Sequence, residues 1–396
     1  MRKMRHAIVP GVAAVLGLWW NSTLDSARGD TQRVAQATMP DDLDHALILD
    51  PREFEDYRRA RAAFEAAASA YWSAIAEKRR GRTAKRRDKQ EVVLQDYVLA
   101  QPPVYRGPPR PPSAPLEERP ARKYVPVVAD FLKAAAEHFG FVPQHPESEL
   151  AYKRAYAQLA AEAGLTRDQI VRIYAFEAGG NGRYDVQAGL EFANPRARAI
   201  TTALGYNQLL HVNSVELMAE RGDQFVKALQ KKAATLSGSA KASIEKKIAV
   251  VQTMIAYART VPDSWSEHER LADTPRGLAI HAMVLDIDVG PLLQRQKLLE
   301  SIVFARHKGV PRELTAAELE MMNLTGDGNG LDMVLMPESM RSQVPTSNFF
   351  LRTSYERNPV AIRNNVVAKL IAATDAKMDR DVNLPGARDL AAAYPR

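Results

Sequence analysis

The chain of 396 residues contains no cysteine. That excludes disulfides, thiolate zinc sites, iron–sulfur clusters and cysteine nucleophiles, together with a lipid anchor on a cysteine thiol. Aromatic residues are sparse at 7 %, while the apolar fraction is 46 % and mostly alanine, leucine and valine. That balance favours helix packed on helix over a β-sandwich. No apolar run reaches the roughly 20 residues of a membrane-spanning helix. Strand signals are few and short, and no internal repeat is visible. Neither a glycine-rich phosphate loop nor a G-x-S-x-G elbow occurs. His268, His281 and His307 lack the i, i+4 spacing of a metal-binding helix, and Asp286 and Asp288 would point to different helix faces. Neither a metal nor a cofactor is expected.

What is present begins with a basic, then apolar, N-terminus. Arg2, Lys3 and Arg5 precede an apolar run from Ala7 to Trp20, the pattern of a secretory signal. Small residues near Ala27 and at Ala35-Gln36-Ala37 offer cleavage sites. Residues 1–37 are therefore expected to be a signal peptide and polar leader, and the mature protein to be soluble outside the cytoplasm, periplasmic or secreted. The formal net charge is +7, concentrated in Lys78-Arg79-Arg80 and Lys85-Arg86-Arg87, where a solvated helix face is the plain expectation. The cluster lacks interleaved aromatics, so no nucleic-acid partner is expected.

Residues 38–100 read as an N-terminal helical arm. Phe54, Tyr57, Ala60, Phe64, Ala67 and Tyr71 recur at helical spacing, and the pattern continues to Val98 with Gly81 as the expected break. Residues 101–122 are proline-rich and read as a linker. The arm or the linker could dock an envelope protein. Residues 123–396 then form the main domain, dense with helix patterns: Val128 to Phe139, Glu147 to Ala163, a helix capped by Thr166 and Gln169, residues 213–259 with a break near Gly238, Pro275 to His307, Thr315 to Leu324, and Asn358 to Ala376 as a closing helix. The segment Gly326-Asp327-Gly328-Asn329-Gly330 is expected to be a turn, because Leu331 stands where a calcium loop needs its fifth-position ligand.

The chemistry centres on Ile173 to Gly189. An aromatic-lined helix delivers Glu177 at its C-terminal end, and Gly179, Gly180 and Gly182 follow. The negative end of the helix dipole and burial both disfavour ionisation there. A carboxyl held neutral can protonate a glycosidic oxygen. Downstream, Gly205 permits close backbone approach, Tyr206 offers a ring for a sugar face, and Asn207 and Gln208 offer amides for N-acetyl or hydroxyl groups.

Together these segments resemble the lysozyme-like lytic transglycosylases. The Glu-Ser-x-Gly motif of that family is matched by Glu177-Ala178-Gly179-Gly180, with alanine in place of serine. Its Gly-Leu-Met-Gln-Leu motif is matched by Gly205-Tyr206-Asn207-Gln208-Leu209. The resemblance covers residues 150–230 best. It implies a mainly α, lysozyme-like helical catalytic domain with a small loop/β element, with Glu177 as catalytic acid and then base and Gln208 as a contact to the N-acetylated sugar. The family's later Ala-Tyr-Asn motif has no clean counterpart; Tyr355 and then Asn323 are the candidates. A hydrolase needs a second carboxylate, for which Asp185 and Glu191 are nearest in sequence. A transglycosylase needs none, because the substrate's acetamido group assists and its own hydroxyl closes an anhydro ring. Peptidoglycan glycan strands are thus the expected partner. A non-catalytic glycan-binding or envelope-complex protein on the same fold is the rival.

Overall fold

A computed structural model describes residues 51–112, 124–190 and 197–395. The expected signal and leader, most of the second half of the expected linker, and Glu191 lie outside the described residues. Those that are described are mainly helical. No strand forms among them; the β pairing consists of isolated bridges, Gln187 with Leu204, Leu204 with Leu209 and Pro345 with Val366. No single helix among them is long and apolar enough to cross a membrane. The chain divides into two compact units at Lys123 and Tyr124.

The first unit is built on α1 (Pro51–Arg87). This helix runs straight through Gly81, contrary to the expected break. A mid-helix glycine costs only about 1 kcal/mol and is absorbed in so long an element. The helix ends instead at Arg87, and Lys89 takes a left-handed backbone with φ 55°. The following segment does not continue it. It runs back along α1: the Lys78 ammonium donates to Gln95 O at 2.6 Å, and Tyr71 Oη to Ala100 O at 3.0 Å. Arg82, wholly buried, donates to Asp96 O at 3.0 Å and lies over the Tyr97 ring. Lys85 pairs with the Asp96 carboxylate at 2.7 Å. Part of the basic cluster is therefore spent on fastening this return segment. The proline-rich stretch joins the same unit through Tyr105, whose ring meets Phe64 at 5.6 Å and Tyr57 at 6.4 Å. At Tyr105 the proline-rich stretch is thus packed on α1.

The second unit opens with α2 (Val128–Phe139), α3 (Glu149–Glu162) and α4 (Arg167–Glu177). The Thr166–Gln169 capping box opens α4 as its sequence dictates, Thr166 Oγ1 accepting from Gln169 N and Gln169 Oε1 from Thr166 N. A hairpin of α5 (His211–Ala234) and α6 (Gly238–Ala258) follows, then α7 (Trp265–Ala272) and α8 (Pro275–His281). A 3-10 turn at Ala282–Leu285 separates α8 from α9 (Gly290–His307), and α10 (Ala316–Thr325) is capped by Thr315. The segment expected as a turn at Asp327 instead starts α11 (Asp327–Leu335). Short helices α12 (Glu338–Arg341), α13 (Arg352–Glu356) and α14 (Pro359–Arg363) lead to α15 (Val367–Asp381) and α16 (Pro385–Ala393). The expected closing helix from Asn358 is thus two helices: α14 ends at Arg363, and Thr346 N bonds Asn365 O in the gap before α15.

Helix α4 is packed on several sides, by α3, α10, α15 and α16. Every residue from Gln169 to Glu177 except Arg172 is buried. An ordinary surface helix buries one stripe; this one is enclosed, so even its polar Gln169 side chain needs a partner inside and donates to Leu314 O at 2.8 Å.

Candidate functional site

Glu177 ends α4 because the chain turns left-handed at once, with φ of 63° at Gly179 and 70° at Gly180. A Cβ on Gly180 would meet Asp381 O at 2.7 Å, so glycine is required there by both conformation and contact. The loop is then fixed from the far end of the chain: Gly386 N donates to Asn181 Oδ1 at 3.0 Å and Ala387 N to Gly180 O at 2.9 Å. Tyr174 Oη closes it by donating to Gly182 O at 2.7 Å.

The Glu177 side chain is 7 % exposed. Asn323, on α10, donates its amide Nδ2 to Glu177 Oε1. Glu320, one turn earlier on α10 and fully buried, sets its carboxyl beside the same group. The Lys377 ammonium approaches from α15, 5.0 Å from the Phe176 ring centroid and bonded to Asp381. Burial pushes the Glu177 carboxyl well above the usual carboxylate range, against the opposing pull of its hydrogen bonds and of Lys377 and Lys297. Burial and the neighbouring Glu177 push the Glu320 carboxyl well above its ordinary range.

The second motif is a tight turn. Leu204 and Leu209 exchange backbone hydrogen bonds at 2.9 and 3.0 Å around it. Gly205 has φ 81°, and a Cβ there would sit 2.1 Å from Gln294 Nε2. Gln208 also has a left-handed backbone, φ 46°, held by its own amide, which donates to Gly205 O at 2.7 Å and Val186 O at 3.2 Å. The two motifs meet through Tyr174 and Tyr206, whose rings are edge to face at 4.7 Å.

That contact revises the role of Tyr206. The ring is wholly buried among Tyr152, Tyr156 and Tyr174, and its hydroxyl donates to the Glu149 carboxylate. It supports the turn from beneath and offers no face to a sugar. Asn207 is likewise internal: its backbone N–H donates to Gln294 Oε1 at 2.8 Å and its amide to Gln294 O at 2.7 Å and Tyr156 Oη at 3.0 Å. Tyr355 is buried against Phe350 and Thr346. Of the two candidates for the third motif, Asn323 is therefore the one that touches Glu177. Asp185 lies beside Arg183 at 3.3 Å in the loop after the acid. The carboxyl adjoining Glu177 is Glu320, which sequence proximity did not single out. Its only signal was a Glu three residues before an Asn on a helix otherwise apolar on several faces.

Helix α9 completes the surroundings. Gln294, Lys297 and Ser301 form one stripe at spacings of three and four. Gln294 holds the Asn207 turn, and Ser301 Oγ donates to Asp327 Oδ1 at 2.7 Å. Between them, the Lys297 charge acts on Glu177, Glu216 and Asp327. Burial raises the Glu216 carboxyl to about 7. No family model, curated protein or solved structure matches this chain.

Proposed function

We propose that the unit beginning at Tyr124 is a peptidoglycan lytic transglycosylase with a lysozyme-like helical fold, exported to the periplasm or beyond. The observation that carries this is Glu177: a buried carboxyl, its pKa pushed up to about 7 by burial, at the end of an enclosed helix and braced by Asn323. A neutral acid in such a place is suited to protonating a glycosidic oxygen.

Glu177 gives its proton to the oxygen linking the muramyl and glucosaminyl residues, and the bond from that oxygen to the muramyl anomeric carbon breaks. The substrate's acetamido oxygen supports the carbon as positive charge develops. The Glu177 carboxylate then takes the proton of the muramyl primary hydroxyl, whose oxygen closes on the anomeric carbon. Glu177 ends protonated, no water is consumed, and an anhydro-muramyl end remains. Gln208 spends its N–H groups on Gly205 and Val186, so its Oε1 is the atom left to accept from an acetamido N–H.

Purified sacculi digested with the wild type and with Glu177→Gln, followed by mass analysis of the muropeptides, test the proposal. Anhydro-muramyl ends from the wild type alone are expected. Reducing ends would instead indicate a hydrolase, for which Glu216 is the carboxyl to examine. Binding without products from either protein would indicate a glycan-binding protein.

A further inference from the structure

The proposed reaction uses one carboxyl, yet two lie together. Glu320 is fully buried, and neither of its oxygens finds a donor with hydrogen-bond geometry among the described residues. The Asn323 amide lies near both carboxyls but is directed at Glu177. An ionised carboxylate with no donor is strongly disfavoured in a buried place. A neutral carboxyl in the same place needs only one acceptor for its hydroxyl, and Glu177 is the acceptor at hand.

We propose that Glu320 stays protonated through the reaction and donates its hydroxyl to Glu177, acting as a positioning residue. The consequence falls on the second half of the cycle. Once Glu177 has given up its proton, a carboxylate is left in a buried site. Two donors then converge on it, the Glu320 O–H and the Asn323 N–H, with the ammoniums of Lys377 from α15 and Lys297 from α9 as the nearest positive charges. Lys377 is itself partly satisfied by Asp381, and Lys297 is shared with Glu216 and Asp327. Glu320 therefore stabilises the base form of Glu177 without losing its own proton. The proton that leaves Glu177 goes to the departing sugar, and the one that returns comes from the muramyl hydroxyl.

The kinetic part of this role rests on the proposed transglycosylase reaction, whereas the protonation of Glu320 does not. Two measurements separate them. Infrared spectra of the protein labelled at the glutamate carboxyl carbons should show protonated-carboxyl absorption at neutral pH that Glu320→Gln reduces, leaving the contributions of Glu177 and Glu216. A Glu320→Gln spectrum with the same protonated-carboxyl absorption as the wild type would overturn the proposal whether or not sacculi are cleaved. On sacculi, Glu320→Leu should slow cleavage about 10- to 100-fold, the worth of one hydrogen bond to a charged group. It should also move the alkaline limb of the pH profile upward, because the Glu177 carboxylate loses a donor. Glu320→Gln, which can still donate, should recover most of the rate. A limb that moves downward in Glu320→Leu would mean that Glu320 is ionised beside Glu177, and a Glu320→Gln as inactive as Glu177→Gln would mean that Glu320 itself transfers a proton; either overturns the proposal.

Discussion

Asn323 donates its side-chain amide to the Glu177 carboxyl from a helix 146 residues further along the chain. The amide gains most when Glu177 is charged, since hydrogen bonds to ionised groups are about twice as strong as neutral ones. Asn323→Ala is expected to lower kcat by about 10- to 100-fold with little change in KM. Steady-state kinetics on a soluble glycan substrate check this; a rise in KM alone would place Asn323 in substrate binding instead.

Gln294 is the peg of the second motif. It accepts from Asn207 N and takes the Asn207 amide on its own carbonyl, and its side-chain amide reaches Leu204 O at 3.2 Å. Gln294→Ala leaves buried backbone groups without partners and is expected to cost about 2–4 kcal/mol in urea unfolding. Gly205→Ala, which adds a Cβ against that same side chain at a left-handed backbone, is expected to be at least as costly. If both substitutions fall within about 0.5 kcal/mol of the wild type, as ordinary surface changes do, the turn is not held as described.

Buried neutral carboxyls make stability fall as pH rises. Glu177 and Glu320 are raised by burial, and Glu216 is raised to about 7. Above the ordinary carboxyl range the unfolded chain has released protons that the folded one retains, so stability declines as pH climbs towards the folded values. Glu320→Leu removes one such group and should flatten this decline. The check is the midpoint of thermal unfolding across pH 5 to 8; a slope equal to that of the wild type would count against a neutral Glu320.

His281 works in the opposite direction. It is buried between Ser214 Oγ at 2.8 Å and Thr202 O at 2.9 Å, and burial lowers its pKa from 6.5 to about 3. Between those values the unfolded chain binds a proton that the folded one refuses, so stability is lost as pH falls below 6.5. The imidazole proton signals should show no protonation of His281 at pH 5 in the folded state, and a titration near 6 would contradict the site.

Much of the local structure was legible in the sequence. The Thr166–Gln169 cap, the Gly140 stop after α2 and the break between α5 and α6 all follow from the chemistry of a few adjacent residues. The position of Glu177 before paired glycines was equally local. Where local rules failed, a distant partner overrode them. Gly81 did not stop α1, and a return segment packs back on the helix through Tyr97 and Tyr105. Tyr206 looked like a sugar platform in sequence but is enclosed by tyrosines from α3 and α4.

The sequence by itself determined the helix starts that carry a local cap, where Glu177 stands and that glycine must follow it, since caps, periodicity and left-handed backbone depend on neighbours in the chain. Only the tertiary structure decided what surrounds the acid. Whether a carboxyl is charged depends on burial and on donors within a few ångströms. For Glu177 the donor is Asn323 on α10, and the neighbouring groups that act on it are Glu320 on α10, Lys377 on α15 and Lys297 on α9, none of which any spacing along the chain connects to it.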